Sequence, residues 1–128
     1  MGLLAVFSVG IGAFFGALLR WGFGILFNPL LPAMPLGTLV SNLLGGLVIG
    51  AALGVFDQFQ SLPVEARLFV TTGFCGGLTT FSTFSAETVT LLLRQQYAWT
   101  VAIIGAHLIG SLAMTLAGLG LVRLLFRG

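Results

Sequence analysis

Eight charged side chains in 128 residues are too few to solvate a folded surface in water. Soluble domains carry roughly a quarter charged residues, whereas here the share is 6% and hydrophobic residues make up 58%. The implied solvent is a lipid bilayer. A spanning helix needs ~20 predominantly apolar residues, so four spans with short connections consume nearly the whole chain. The expected fold is an all-α integral membrane protein, a single four-helix transmembrane domain over residues 1–128.

The same scarcity removes other classes of function. A net charge of +2 with a pI near 9.5 comes from five scattered arginines and makes no basic stripe for nucleic acid. The single cysteine, Cys75, lies in an apolar run whose nearest charges in sequence are Arg67 and Glu87, and it reads as a small buried residue, not a reactive thiol. The N-terminal stretch has neither a basic n-region nor a small-residue cleavage pattern, so it is expected to be the first span. Myristoylation is not expected, because Val6 stands where that motif takes Ser or Thr.

Charge-free stretches and turn residues place the spans. Span 1 covers Leu3–Phe27 and ends at Asn28-Pro29, before a loop that also contains Pro32 and Pro35. Span 2 runs from Gly37-Thr38 to Phe56, followed by the most polar connection, residues 57–65, with Pro63. Span 3 covers residues 66–94 and span 4 Tyr97–Leu125. Four spans put both termini on one side with Arg67, Arg123 and Arg127, against Arg94 and possibly Arg20 on the other. Orientation follows an Lys/Arg excess in short loops, and three against two gives it almost nothing to act on. The expectation is insertion both ways up, which permits an antiparallel homodimer.

Small or polar residues at every fourth position mark the faces where membrane helices meet. Span 1 carries Ser8, Gly12, Gly16, Arg20 and Gly24; span 2 carries Thr38, Asn42, Gly46, Gly50 and Gly54; span 4 carries His107, Ser111 and Thr115. The glycines read as close packing. Arg20 sits about seven residues inside the end of span 1, or ~10 Å at helical rise, where it either snorkels as an anchor or attracts anions. Asn42 is deeper, and its amide has two donors that can replace water around a small anion. The row from His107 to Thr115 is either interhelical hydrogen bonding or a polar track beside an ion pathway.

Span 3 differs from the rest. Residues 71–85 read TTGFCGGLTTFSTFS, and glycine pairs with hydroxyl residues weaken a helix, so a break is expected near Gly76-Gly77. Freed backbone groups survive at membrane depth only where protein, water or an ion satisfies them, and broken helices are recurrent ion sites. Beyond the break, Phe81 and Phe84 share a helical face beside Ser82, Thr83 and Ser85. They are either packing residues or rings whose positive edges attract an anion.

The acids narrow the cargo. Asp57 and Glu65 lie in a loop, and only Glu87 falls within a predicted helix, where its expected partners are polar backbone or an opposing arginine. Coupled exporters of cations depend on an acid in the membrane, and span 1 has none. The intramembrane donors favour an anion. A small proton- or cation-coupled exporter is the alternative, and a non-conducting packing subunit a third.

GAFFGALLRW (12–21), GTLVSNLLGG (37–46) and above all GFCGGLTTFSTFSAE (73–87) resemble the small bacterial fluoride channels of the Fluc (CrcB) family, and the resemblance covers essentially the whole chain. It implies a passive fluoride-selective channel, not an enzyme, exporting fluoride from the cytoplasm through two pores of an antiparallel, dual-topology homodimer in the bacterial inner membrane. It further implies a fluoride pathway formed by Phe81, Phe84, Asn42, Ser111, Thr115, His107, Thr83 and Arg20. One structural sodium ion at the dimer centre would be held by backbone carbonyls of Gly76 and Thr79. Two departures stand out along the span-4 track: a histidine at 107 where serine is a family alternative, and the apolar Ile103 one turn earlier.

Overall fold

The computed structural model describes residues 2–127, and every regular element among them is helical. Helix α1 is Leu3–Phe27, α2 is Leu36–Gln58 and α6 is Tyr97–Leu125. Each is long and apolar enough to cross a membrane. The expected third span is interrupted: α3 (Val64–Leu68), a π-helical segment (Phe69–Cys75) and α4 (Gly76–Leu78) run into two extended residues before α5 (Phe81–Leu93).

The interruption falls a little later than the glycine pair. Gly76 and Gly77 are helical, and the chain first leaves helical geometry at Thr79 (φ −87°, ψ 156°) and Thr80 (φ −150°, ψ 115°). Gly77 answers to packing instead, while a Cβ on Gly76 would meet only the Thr71 carbonyl oxygen at 3.8 Å. A Cβ on Gly77 would sit 3.0 Å from the Ala13 Cα, and one on Gly12 2.9 Å from the Phe74 backbone nitrogen. These bare positions let α1 lie directly on the segment 69–78, which a side chain at either would prevent. The helix then ends at threonine, whose hydroxyl competes with the backbone ladder.

Against the other side of the core, α2 and α6 form the most extensive helix pair. Gly46, Gly50 and Gly54 face Ser111, Thr115 and Val122, while Gly118 faces the backbone of Leu47 and Ala51. The four-residue rows are therefore backbone-to-backbone contact faces. Outward surfaces remain apolar, with Phe14, Phe15 and Trp21 of α1 and Leu108, Leu112 and Leu116 of α6 all exposed.

Connections are held by local chemistry. Asn28 Oδ1 accepts the amides of Gly37 (2.8 Å) and Thr38 (3.3 Å), satisfying first-turn donors of α2 across the proline-rich loop. Helix α5 stops at Gln95, which takes a positive φ of 61°, and the Gln96 amide bonds back to the Leu91 carbonyl at 3.0 Å. In the polar connection, Arg67 Nη2 donates to the Gln60 carbonyl at 2.9 Å and the guanidinium lies 5.1 Å from the Phe56 ring centroid.

Candidate functional site

A helix interrupted inside a membrane protein exposes carbonyls and amides that need partners; side chains from two other helices supply some of them, and a third helix backs one of those side chains. The Cys75 carbonyl accepts both the amide (2.9 Å) and the hydroxyl (2.8 Å) of Thr79. From α1, Arg20 Nε donates to the Gly77 carbonyl at 3.0 Å. From α2, Asn42 brackets the Thr80 peptide: Oδ1 accepts the Thr80 amide at 2.7 Å, and Nδ2 donates to the Thr80 carbonyl at 3.1 Å. From α6, His107 Nδ1 lies 2.9 Å from the same Nδ2. The Thr80 hydroxyl caps α5, accepting the Thr83 amide at 3.1 Å and donating to the Thr83 hydroxyl at 3.0 Å.

No side-chain or inter-element donor among the described residues reaches the carbonyl of Leu78, nor those of Gly76 and Thr79. Gly76 and Thr79 are the pair expected from the family resemblance to hold sodium. Carbonyls at the end of a broken helix suit such a cation chemically. No cluster of three His, Cys, Asp or Glu side chains offers an alternative metal site among the described residues.

Two cavities meet at Thr80. The larger, about 480 Å³, is lined by Asn42, Phe81, Phe84, His107 and Ser111 together with threonine, apolar and glycine positions. A second, about 350 Å³, is lined by Arg20, Asn28, Thr38 and Thr83. Thr80 is the one residue common to both, so the peptide that Asn42 grips forms part of the wall between them.

Phe81 and Phe84 meet edge to face, with centroids 5.5 Å apart at 69°, and Phe84 lies against the His107 ring at 4.6 Å. Phe81 is 78% exposed in the protomer. Along α6, His107 and Ser111 line the larger cavity, whereas the Thr115 hydroxyl donates to the Ser111 carbonyl of its own helix at 2.9 Å. Arg20 turns its Nε onto the Gly77 carbonyl and also lines the smaller cavity. Cys75 is buried, its Sγ 3.9 Å from the Gly45 carbonyl, as expected of a small packing residue.

Sequence reasoning places Thr38 only on a helix-contact row and Thr80 only within the span-3 motif, neither as a site residue. The partner of Glu87 is neither backbone nor arginine: the Thr38 hydroxyl donates to its carboxylate at 2.6 Å. Nothing in local sequence announces that pairing, because the two residues lie 49 positions apart. Thr80 did leave a trace. A threonine immediately before a helical run is an N-cap pattern.

The profile of the family described as CrcB-like protein, Camphor Resistance (CrcB), matches residues 7–119. The chain is 63% identical over 123 residues to a "Fluoride-specific ion channel FluC" of Nitrosospira multiformis, covering 96% of both chains. It is 54% identical over 125 residues to one from Cupriavidus taiwanensis, covering 98% of this chain and 99% of that one. A third, from Nitrosomonas europaea, is 52% identical over 117 residues, 91% of this chain and 92% of that one.

Proposed function

Because the chain belongs to the CrcB family, we propose that it is a fluoride-specific ion channel that lets fluoride leave the cell passively. The observation that carries this reading is the larger cavity, whose polar lining consists of uncharged donors and whose aromatic lining is the Phe81–Phe84 pair. A carboxylate there would repel an anion, and none lines it. The relatives named as fluoride-specific ion channels independently point to fluoride.

The functional unit we propose is an antiparallel homodimer in the bacterial inner membrane, with residues 64–93 serving as the fourth crossing of each subunit and two pores built from both. Near-balance of arginines across the bilayer supports this dual topology, since no loop has enough positive charge to fix orientation. Reporter activity at the C-terminus on only one side of the membrane would sink that part of the proposal.

In this reading the Arg20 guanidinium raises the local anion concentration in the smaller cavity, beside Thr83. Hydroxyls of Thr83 and Ser111 replace part of the lost hydration, and the edges of Phe81 and Phe84 carry positive potential through the apolar stretch. Asn42 already spends both amide hydrogens on protein, one on Thr80 and one on His107, so donating to fluoride means releasing one of them. Carbonyls of Gly76 and Thr79 from the two subunits would hold the sodium ion, which supplies fixed positive charge near the interruption. No energy source or other cofactor is assigned.

Liposomes reconstituted with the protein and loaded with fluoride or chloride test the function. Rapid fluoride efflux independent of a pH gradient, with little chloride efflux, is expected. Dependence on that gradient would favour a coupled exporter, and a folded protein passing neither ion would favour a packing subunit.

A further inference from the structure

The hydrogen bonds around Asn42 determine the protonation of the chain's single histidine. A backbone amide only donates, so the atom 2.7 Å from the Thr80 nitrogen must be the oxygen of the Asn42 side chain. That fixes the amide orientation and turns Nδ2 toward both the Thr80 carbonyl and His107. Nδ2 also only donates, so His107 Nδ1, 2.9 Å away, must be the acceptor. A ring nitrogen that accepts carries no proton, and the neutral imidazole therefore holds its proton on Nε2.

Nε2 itself is buried and has no hydrogen-bond partner within the described chain. The tautomer is thus not chosen by an acceptor at Nε2. It is selected at the other nitrogen by Asn42, on a residue only 4% exposed and pressed against the Phe84 ring. Removing that acceptor would leave a buried amide hydrogen unsatisfied, and the cheapest repair is rotation of Asn42 away from Thr80. Both bonds bracketing the extended peptide would go with it.

We propose that His107 is a positioning residue: as the Nε2-protonated neutral ring it takes the second amide hydrogen of Asn42 through Nδ1 and thereby locks Asn42 onto the Thr80 peptide between the two cavities. Three helices, α2, α5 and α6, are joined by this one chain of bonds. The proposal deepens the fluoride-conduction reading and rests on it for its transport consequence, while the tautomer stands by itself.

The test has a spectroscopic arm and a transport arm. In the full-length protein labelled with 15N-histidine, the single imidazole gives one pair of nitrogen signals. The expected result is an unprotonated Nδ1 and a protonated Nε2 at neutral pH, and a proton on Nδ1 overturns the proposal. For transport, His107→Asn places an acceptor oxygen near the former Nδ1, whereas His107→Leu removes it. Among variants that elute as the native species, His107→Leu should lose fluoride efflux by roughly tenfold, the scale of one buried donor left unsatisfied, and His107→Asn should recover most of it. Native-level efflux from His107→Leu, or equal loss in both variants, overturns the positioning role. Absence of fluoride efflux from the native protein would instead count against the channel reading, leaving the tautomer result intact.

Discussion

The Thr38 hydroxyl donates to the Glu87 carboxylate at 2.6 Å, tying α2 to α5 across 49 residues of sequence. Glu87 belongs to α5, and its other oxygen is buried without a hydrogen-bond partner among the described residues. A carboxylate in that position depends heavily on its one donor.

Thr38→Val should therefore destabilise the α2–α5 contact by ~2 kcal/mol, the range for hydrogen bonds to charged groups. Glu87→Gln keeps an acceptor oxygen without the charge and should cost less. Thermal unfolding in detergent would rank the two, and a larger loss for Glu87→Gln would show that the charge, not the hydrogen bond, matters most.

Arg20 serves the fold through its Nε contact with Gly77 and the proposed conduction through its charge. Arg20→Lys retains the charge but has no Nε in that geometry. It should keep the salt sensitivity of fluoride efflux while lowering thermal stability by ~1–2 kcal/mol. Arg20→Ala should lose both. If lysine preserved stability completely, the Gly77 contact would be incidental.

The glycines separate into two kinds. A Cβ on Gly50 would fall 2.8 Å from the Thr115 carbonyl carbon, whereas nothing lies within 4 Å of one on Gly120. Gly50→Ala should cost about 1–3 kcal/mol through forced separation of α2 from α6. Gly120→Ala should be neutral or stabilising by up to ~1 kcal/mol, since alanine restricts the unfolded chain and suits a helix interior. Unfolding midpoints of the two single variants in the same detergent give the comparison.

Phe84 touches both the Phe81 ring and His107. Phe84→Ile retains an apolar side chain but removes the ring edge, and fluoride efflux should fall roughly tenfold, equivalent to ~1.4 kcal/mol. Unchanged efflux in a folded variant would remove the ring from the conduction mechanism.

Much of the architecture was legible because a bilayer leaves a chain few options. Helices must satisfy their own backbone groups, so charge-poor apolar runs bounded by turn and polar residues marked α1 and α6 with the bounds the structure has, Leu3–Phe27 and Tyr97–Leu125. The four-residue glycine rows likewise marked contact faces, since only bare backbone permits the approach seen between Gly50 and Thr115. Weak helix propensity pointed to an interruption but missed its position by a few residues: propensity could not tell that Gly77 was required for contact with Ala13, leaving Thr79 and Thr80 to break the helix.

Sequence by itself thus determined the solvent, the helical class and the contact faces, which follow from composition and periodicity along one chain, and the family, which rests on the resemblance of motifs such as GFCGGLTTFSTFSAE. Tertiary structure decided what the polar residues do. Asn42, Arg20 and Thr38 each have donors free to serve an anion when read alone, but in the folded protomer these donors go to Thr80 and His107, to Gly77 and to Glu87. A hydrogen bond is a property of two groups and their geometry, and these partners are 38 to 65 residues away.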